Sequence, residues 1–594
     1  MNNRSKKWFL FAIVAIVGVF VLLMFAQADK KFVLDAVDFP VLAKAISETG
    51  LPYHYRGETD PSSLGLWHPP LYAYGLAAFI KIFGFSENIV RAFGMCCTLI
   101  SAFLCIFIYK ALFTISTTEK YLFSIIFLTI FLWHPYTIAN ATVPDIDSTV
   151  LPVAILIFLY YLANFPNSEH SPEAKWPFKS VLTLGVFFAV SLWTKLTTPL
   201  VLIPAAFFVL YIRGWSLGKS AGMSMTIATV GGAFFIATYW FYCFLLKLPF
   251  DFVFRFLLFS FTKNASSGGG LSVFLDGVIG HLSYARQFAN AIGLTSLFAI
   301  TLAVGSLLFR KDRTKSDSIV LVFAGMAAFV TLFYLSLTGA FGGFFKYPYA
   351  VFPLFVLVLA RYMSKTLAIM PRYKGWLTSR FGGALTPANM DVAWIVLASG
   401  MAVAVCYFHN PVIRDASTYQ DQPVAYSMMF LVPISALLLA GLSVKKPVEL
   451  FMRYGLSALL AMMVVSQFWI SRSQAVAPYP TTYHFGQMGL DETVSYLKNE
   501  AGTNETIWAM KDVGHYSGLK YIENYPLLFK PLSDMERGIG DLVEVRKVRY
   551  FVVTKNIGQD RIDAYSDLKT ALETCCSVNR EFGNFVIYKA KQHE

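Results

Sequence analysis

A chain of 594 residues that is 56% hydrophobic and only 14% charged cannot cover a soluble surface, so composition alone excludes an ordinary globular protein. The net charge of +13 sits in short basic clusters between apolar runs, which reads as membrane topology and argues against nucleic-acid binding. The seven cysteines make no disulfide framework, because five lie in apolar runs and the adjacent Cys575 and Cys576 could close only a strained ring.

MNNRSKK precedes an apolar run over residues 8–28, long enough to cross a hydrocarbon core of ~30 Å, so the N-terminus is expected in the cytoplasm. Ala26-Gln27-Ala28 has the look of a signal-peptidase site, but the run exceeds the usual ~7–15 residues of a cleaved signal and is read as an anchor. Residues 29–87 then form a first outer loop with two amphipathic stretches, LDAVDFPVLAKAISETG and HPPLYAYGLAAFIKIFG. Further spans are expected near 88–109, 121–138, 148–164, 180–196, 197–212, 222–246, 288–309, 319–338, 347–363, 392–408, 424–443 and 454–471. The total is about thirteen, with basic clusters such as 310–315, 361–380 and 445–453 assigned to the cytoplasm.

Between two of these spans, residues 247–290 make a long outer loop containing the flexible SSGGG at 266–270. The last segment, 472–594, changes composition abruptly. It alternates helical and strand-like patterns (DETVSYLKNE, TIWAM, RYFVVT, FVIYKA), so a C-terminal α/β domain outside the membrane is expected. It carries no phosphate loop, zinc spacing or nucleophile motif, and reads as a lid or an acceptor-docking surface.

Ionisable residues at membrane depth are expensive, and the ones in this chain gather on the outer side. Asp35 and Asp38 lie three apart and share a face if that stretch is helical; His68 precedes Pro69-Pro70. Asp145 and Asp147 stand in VPDIDSTVLP between the third and fourth spans, and Lys195 in SLWTKLTTP between the fifth and sixth. Each has a plainer alternative: Asp38 could cap a helix, Lys195 could snorkel to headgroups, His68 could anchor at the interface, and Trp67 and Tyr347 could belong to the aromatic belt. Their combination favours a site.

In these motifs the chain resembles the bacterial GT-C glycosyltransferases of the protein O-mannosyltransferase-like and aminoarabinose-transferase-like group, which use polyprenyl-phosphate sugars. LDAVDF stands where that group has Asp-Glu-x-x-Tyr, WHPPLYAY where it has Lys/His-Pro-Pro-Leu, and VPDID and LWTKLTTP where it has its later acidic and Thr-Lys motifs. Ala36 replaces the usual glutamate and an acid appears at Asp38 instead, which leaves open which carboxylate does the chemistry. Lys346-Tyr347 stands where relatives often carry Arg-Tyr.

The resemblance implies an α-helical polytopic membrane protein of GT-C type in residues 1–471, followed by an extracytoplasmic α/β domain in 472–594. It implies a glycosyltransferase of the cell envelope that moves a hexose or pentose from a polyprenyl-phosphate donor to a lipid, glycan or protein acceptor, lipid A among the possibilities. Inversion at C1 needs a base for the acceptor hydroxyl, for which Asp35 is the first candidate, with Asp38, Asp145 and Asp147 behind it. The phosphate leaving group needs cations, for which Lys195 and His68 are first candidates, with Arg91, Lys346 and Tyr347 beside them. No metal site or cofactor is expected, since no fixed ligand spacing is present. The rival reading is a transporter or flippase of a lipid-linked sugar, which would need a polar path into the cytoplasmic half that the apolar spans do not offer.

Overall fold

The computed structural model describes residues 3–28, 31–32, 35–53, 64–114, 116–142, 145–168, 177–255, 314–337, 347–368, 488–502, 505–523, 532–555 and 562–591, with a few isolated positions besides. The spans expected at 392–408 and 424–443, nearly all of those at 288–309 and 454–471, the loop around 266–270 and Lys346 lie outside the described residues. The chain divides into two compact units, residues 1–28 with 42–477, and residues 29–41 with 478–594.

The first unit is helical: α1 (Asn3–Phe25), α3 (Leu71–Phe83), α4 (Glu87–Leu112), α5 (Thr117–Leu132), α6 (Pro135–Thr142), α7 (Val150–Ala163), α8 (Phe178–Leu192), α9 (Leu202–Ile212), α10 (Leu217–Leu246), α11 (Lys315–Leu337) and α12 (Phe352–Ala368). Helix α2 (Asp35–Thr49) begins in the second unit and ends in the first. Among the described residues five helices are long and apolar enough to cross a membrane, or six if the bent pair α5–α6 counts as one span. The protein is therefore polytopic.

Serines set the helix starts. Ser86 Oγ accepts from the Ile89 N–H at 3.3 Å and Ser116 Oγ from the Glu119 N–H at 3.2 Å, each followed by an acidic residue in the first turn. The expected span at 121–138 is broken: α5 stops at Leu132, α6 starts at Pro135, and the two differ by 63°. Pro135 has no N–H to continue the ladder, and His134 Nδ1 takes the Tyr136 N–H at 3.1 Å instead. The expected spans at 148–164, 180–196 and 197–212 are helices of 14, 15 and 11 residues, the last entered through a 3₁₀ turn, Thr198–Val201, that contains Pro199.

Arg361, expected to open a cytoplasmic basic connection, lies inside α12 and is buried. Its Nε and Nη2 both donate to Asp317 Oδ1, at 3.2 and 3.1 Å, while Nη1 donates to Glu119 Oε1 at 2.7 Å and to the Tyr109 hydroxyl at 3.2 Å. Its guanidinium carbon stands 3.8 Å from the Phe113 ring centroid. A planar fork can satisfy two carboxylates and a phenol at once, so this side chain ties α4, α5, α11 and α12 together.

In the second unit, residues 490–590 form a five-stranded sheet in the order β2-β1-β3-β5-β4, built from β1 (Thr506–Ala509), β2 (Lys520–Glu523), β3 (Tyr550–Thr554), β4 (Cys576–Phe582) and β5 (Phe585–Ala590). β1 runs parallel to β2 and β3, whereas β5 is antiparallel to β3 and β4. Alternate residues of YFVVT face opposite sides: Phe551 and Val553 meet Met535, Ile539, Leu568 and Leu572, while Tyr550 and Val552 meet Leu490, Val494, Leu497 and Val513. Helices α15 (Leu532–Glu544) and α16 (Ile562–Cys575) thus cover one face, and α13 (Leu490–Glu500) and α14 (Lys511–Ser517) the other. Both faces being covered, β3 is buried along its whole length.

The approach of α6 to α4 rests on Gly94, where an added Cβ would overlap the Ala141 carbonyl. Gly94→Ala should therefore destabilise the helical unit by ~1–3 kcal/mol despite the gain in helix propensity, read as a lowered midpoint of thermal unfolding in detergent. An unchanged midpoint would mean that α6 does not hold this position.

Candidate active site

The segment that follows α6 and the turn that follows α8 meet through one ion pair. Lys195 Nζ lies 2.7 and 2.8 Å from the two carboxylate oxygens of Asp147, and both side chains are about 95% buried or more, at 5% and 3% relative exposure. The ammonium also faces two tyrosine rings, with its nitrogen 4.3 Å from the Tyr347 centroid and 5.0 Å from that of Tyr334. Those rings stack on each other at 5.0 Å. The Tyr334 hydroxyl is anchored by Thr198 Oγ1 at 2.6 Å and Thr197 Oγ1 at 3.0 Å, residues of the same turn that carries the lysine.

Local sequence explains the placement. Asp145 Oδ1 accepts the Asp147 N–H at 3.0 Å, and its backbone carbonyl accepts the Thr149 hydroxyl at 2.5 Å and that of Ser148 at 3.3 Å. Asp145 thus folds the DIDST stretch into a tight turn that delivers Asp147. On the other side, Lys195 N–H donates to the Ser191 carbonyl at 3.2 Å, and Thr194 Oγ1 to the same oxygen at 2.6 Å. The neighbouring Trp193 is fixed by its Nε1 on Thr238 Oγ1 at 2.9 Å and by the rings of Phe235, Tyr239 and Tyr242.

The Pro-Pro segment joins this turn through the backbone: the Leu71 N–H donates to the Trp193 carbonyl at 3.2 Å, which sets the start of α3 beside LWTK. His68 is half-buried three residues before that bond. Arg91 is buried elsewhere, with Nη1 on the Ala28 carbonyl at 2.7 Å and on Asn88 Oδ1 at 3.3 Å, and Nη2 3.6 Å from Glu87. Its hydrogen bonds tie the end of the first span to α4. Tyr334 was not singled out in the sequence; a tyrosine nineteen residues past the start of an apolar helix gives no signal that it covers a lysine from another element.

In the second unit, Asp35 is the first residue of α2, and its side chain lies outside the described residues. Helix α2 starts four residues earlier than a cap at Asp38 would require, with Pro40 inside it. Asp38 is accordingly no cap. It is nearly buried and its Oδ2 is ion-paired with Lys511 at the start of α14. Among the described residues no three His, Cys, Asp or Glu side chains gather as a metal site would need.

Residues 67–242, which contain His68, Arg91, Asp145, Asp147 and Lys195, match the family model described as dolichyl-phosphate-mannose-protein mannosyltransferase. The structure resembles the crystal structure of ArnT from Cupriavidus metallidurans bound to undecaprenyl phosphate, at 13% identity over 97% of this chain and 97% of that one, with a TM-score of 0.51. The apo state of the same protein matches at 13% identity over 99% and 98%, with a TM-score of 0.53. The fold is that of the GT-C glycosyltransferases. No curated protein matches the chain by sequence. Within this GT-C fold, the matched residues span the stretch from the Pro-Pro segment through α10 and so take in both halves of the Lys195–Asp147 pair.

A buried pair is costly to break from one side only. Lys195→Met and Asp147→Leu should each lower stability by ~3–5 kcal/mol, whereas the double variant should lose markedly less than the sum, because no charge is then left alone. A double-mutant cycle on unfolding midpoints checks this, and simple additivity would show that the two side chains do not depend on each other.

Proposed function

We propose that the chain is a membrane glycosyltransferase that moves a sugar from a polyprenyl-phosphate donor to an acceptor hydroxyl at the outer face of the cytoplasmic membrane. The observation that carries this reading is Lys195, a lysine held in an apolar helical unit by one carboxylate and two aromatic faces. The match of its surroundings to a dolichyl-phosphate-mannose-dependent family supports it, and so does a neighbour of like fold that holds undecaprenyl phosphate.

The chemistry fits these residues. A phosphate leaving group is already a good anion, so it calls for a cation at the departing oxygen and not for a carboxylic acid. Lys195 supplies that cation, with Asp147 as its resting counter-ion and Tyr334 and Tyr347 as walls that keep it desolvated. His68, through the backbone link of its segment to the lysine turn, is the second group on the phosphate. Asp35, the first residue of α2, is the base that takes the acceptor proton as C1 is attacked, with inversion. Asp147 is poorly suited to be the base, since both its oxygens are engaged by the ammonium. The lipid tail lies among the apolar helices, with the acceptor arriving from the aqueous side.

Purified protein in liposomes with a polyprenyl-phosphate sugar tests the reading directly. Lys195→Met should lower kcat/KM by ~10²–10³-fold, in proportion to a lost transition-state contact of ~2.7–4 kcal/mol, while Lys195→Arg keeps the ion pair and most of the activity. Asp35→Asn should lower turnover by ~10²-fold or more with donor binding retained. Full turnover in both Lys195→Met and Asp35→Asn would remove this mechanism, and translocation of the lipid-linked sugar without product formation would make the protein a flippase.

A further inference from the structure

Residues 31–41, which lead into and begin α2, belong to the same compact unit as the C-terminal sheet. Three contacts hold them there. Lys31 is ion-paired with Asp491 of α13, the Phe32 N–H donates to the Tyr516 hydroxyl of α14 at 2.8 Å, and Lys511 of α14 is ion-paired with Asp38. Phe32 is buried, and the Lys31 ammonium lies 5.1 Å over the Tyr516 ring. The charges are crossed: the segment supplies the cation to α13 and the anion to α14. A slip of the segment would break both pairs, so they fix position as well as attraction.

Lys511 is the informative member. It occupies the first turn of α14, where the helix dipole disfavours a cation, directly after the end of β1. A residue set against local preference marks a site where something else is gained. Here its side chain and that of Asp38 are 15% and 12% exposed, whereas the Lys555–Glu581 pair of the same unit is 39% and 52% exposed. The Asp38 pair is largely withdrawn from water and so is not one of the surface pairs that contribute little.

We propose that Lys511 is a positioning residue for the reaction: it anchors Asp38, and through it fixes the first turn of α2 that presents Asp35. This rests on the glycosyl-transfer reading, and it separates the roles of the two neighbouring carboxylates. Asp38 is the anchor, with an oxygen already claimed by an ammonium, and Asp35 is left to accept the proton. The C-terminal sheet then has a task in the chemistry.

The test uses the full-length protein in liposomes. Lys511→Met and Asp38→Asn should each reduce kcat by ~10-fold with donor KM within ~2-fold, the double variant should be no worse than either, and Lys511→Arg should restore most of the turnover. Hydrogen exchange across residues 31–41 should quicken in Lys511→Met and return to normal in Lys511→Arg. Unchanged turnover in Lys511→Met, additive losses in the double variant, or unchanged exchange at 31–41 would each overturn the anchor. Wild-type protein that forms no product would instead count against the glycosyl-transfer reading, and the exchange measurement would still decide whether Lys511 holds the segment.

Discussion

A lysine ammonium buried among apolar helices is the constraint around which the first unit is arranged. Desolvating it would cost several kcal/mol without a partner, so Lys195 can exist there only because Asp147 meets it with both oxygens. That requirement propagates outward. Asp147 needs the turn shaped by Asp145, the turn needs α6 to end where it does, and α6 needs the break at Pro135 and the close approach at Gly94. On the lysine side, Tyr334 must be pinned by Thr197 and Thr198, and Tyr347 must lie flat on Tyr334.

The same bundle contains other buried cations, and Arg361 differs from Lys195 in how its charge is partnered. Arg361 follows Tyr347 by fourteen residues and Asp317 precedes Tyr334 by seventeen, so by helical rise the arginine cluster lies roughly 20–25 Å from the lysine along α11 and α12. Arg361 spends its fork on two carboxylates and a phenol in a fixed plane, which leaves it little to offer a ligand. Lys195 has one carboxylate and two polarisable faces, an environment that an incoming phosphate could replace oxygen for oxygen. Both ends of these helices are thus fixed by charge, and the proposed reaction uses the lysine end.

Much of this was legible in the sequence where the pattern was local. TIWA, YFVVT and FVIYKA fall on β1, β3 and β5, because period and composition decide a short buried strand. Asp145, Asp147 and Lys195 stood out because ionisable residues are rare in apolar runs. What the sequence could not give was pairing between distant elements. Nothing in LWTKLTTP or VPDID says that the lysine and the second aspartate meet, and nothing in AMKDVGHY says that Lys511 reaches a residue 473 positions earlier. The 63° bend inside the span expected across 121–138 had a local signal in His134-Pro135, since proline cannot continue the helical ladder.

The two carboxylates of the first loop show how far composition can mislead about role. By sequence Asp38 is a second candidate, three positions on from Asp35 along one helical face, and the nearby Pro40 suggests a helix start. In the structure Pro40 stands in the helix, at a position where its ring removes one backbone bond, and the helix must be held by something other than its own ladder. The crossed pairs to α13 and α14 supply that support from the C-terminal sheet. A proline that weakens the first turns and an ion pair that fixes them from outside are two halves of one device. On the anchoring proposed above, the orientation of the candidate base depends on a residue 473 positions away from Asp38.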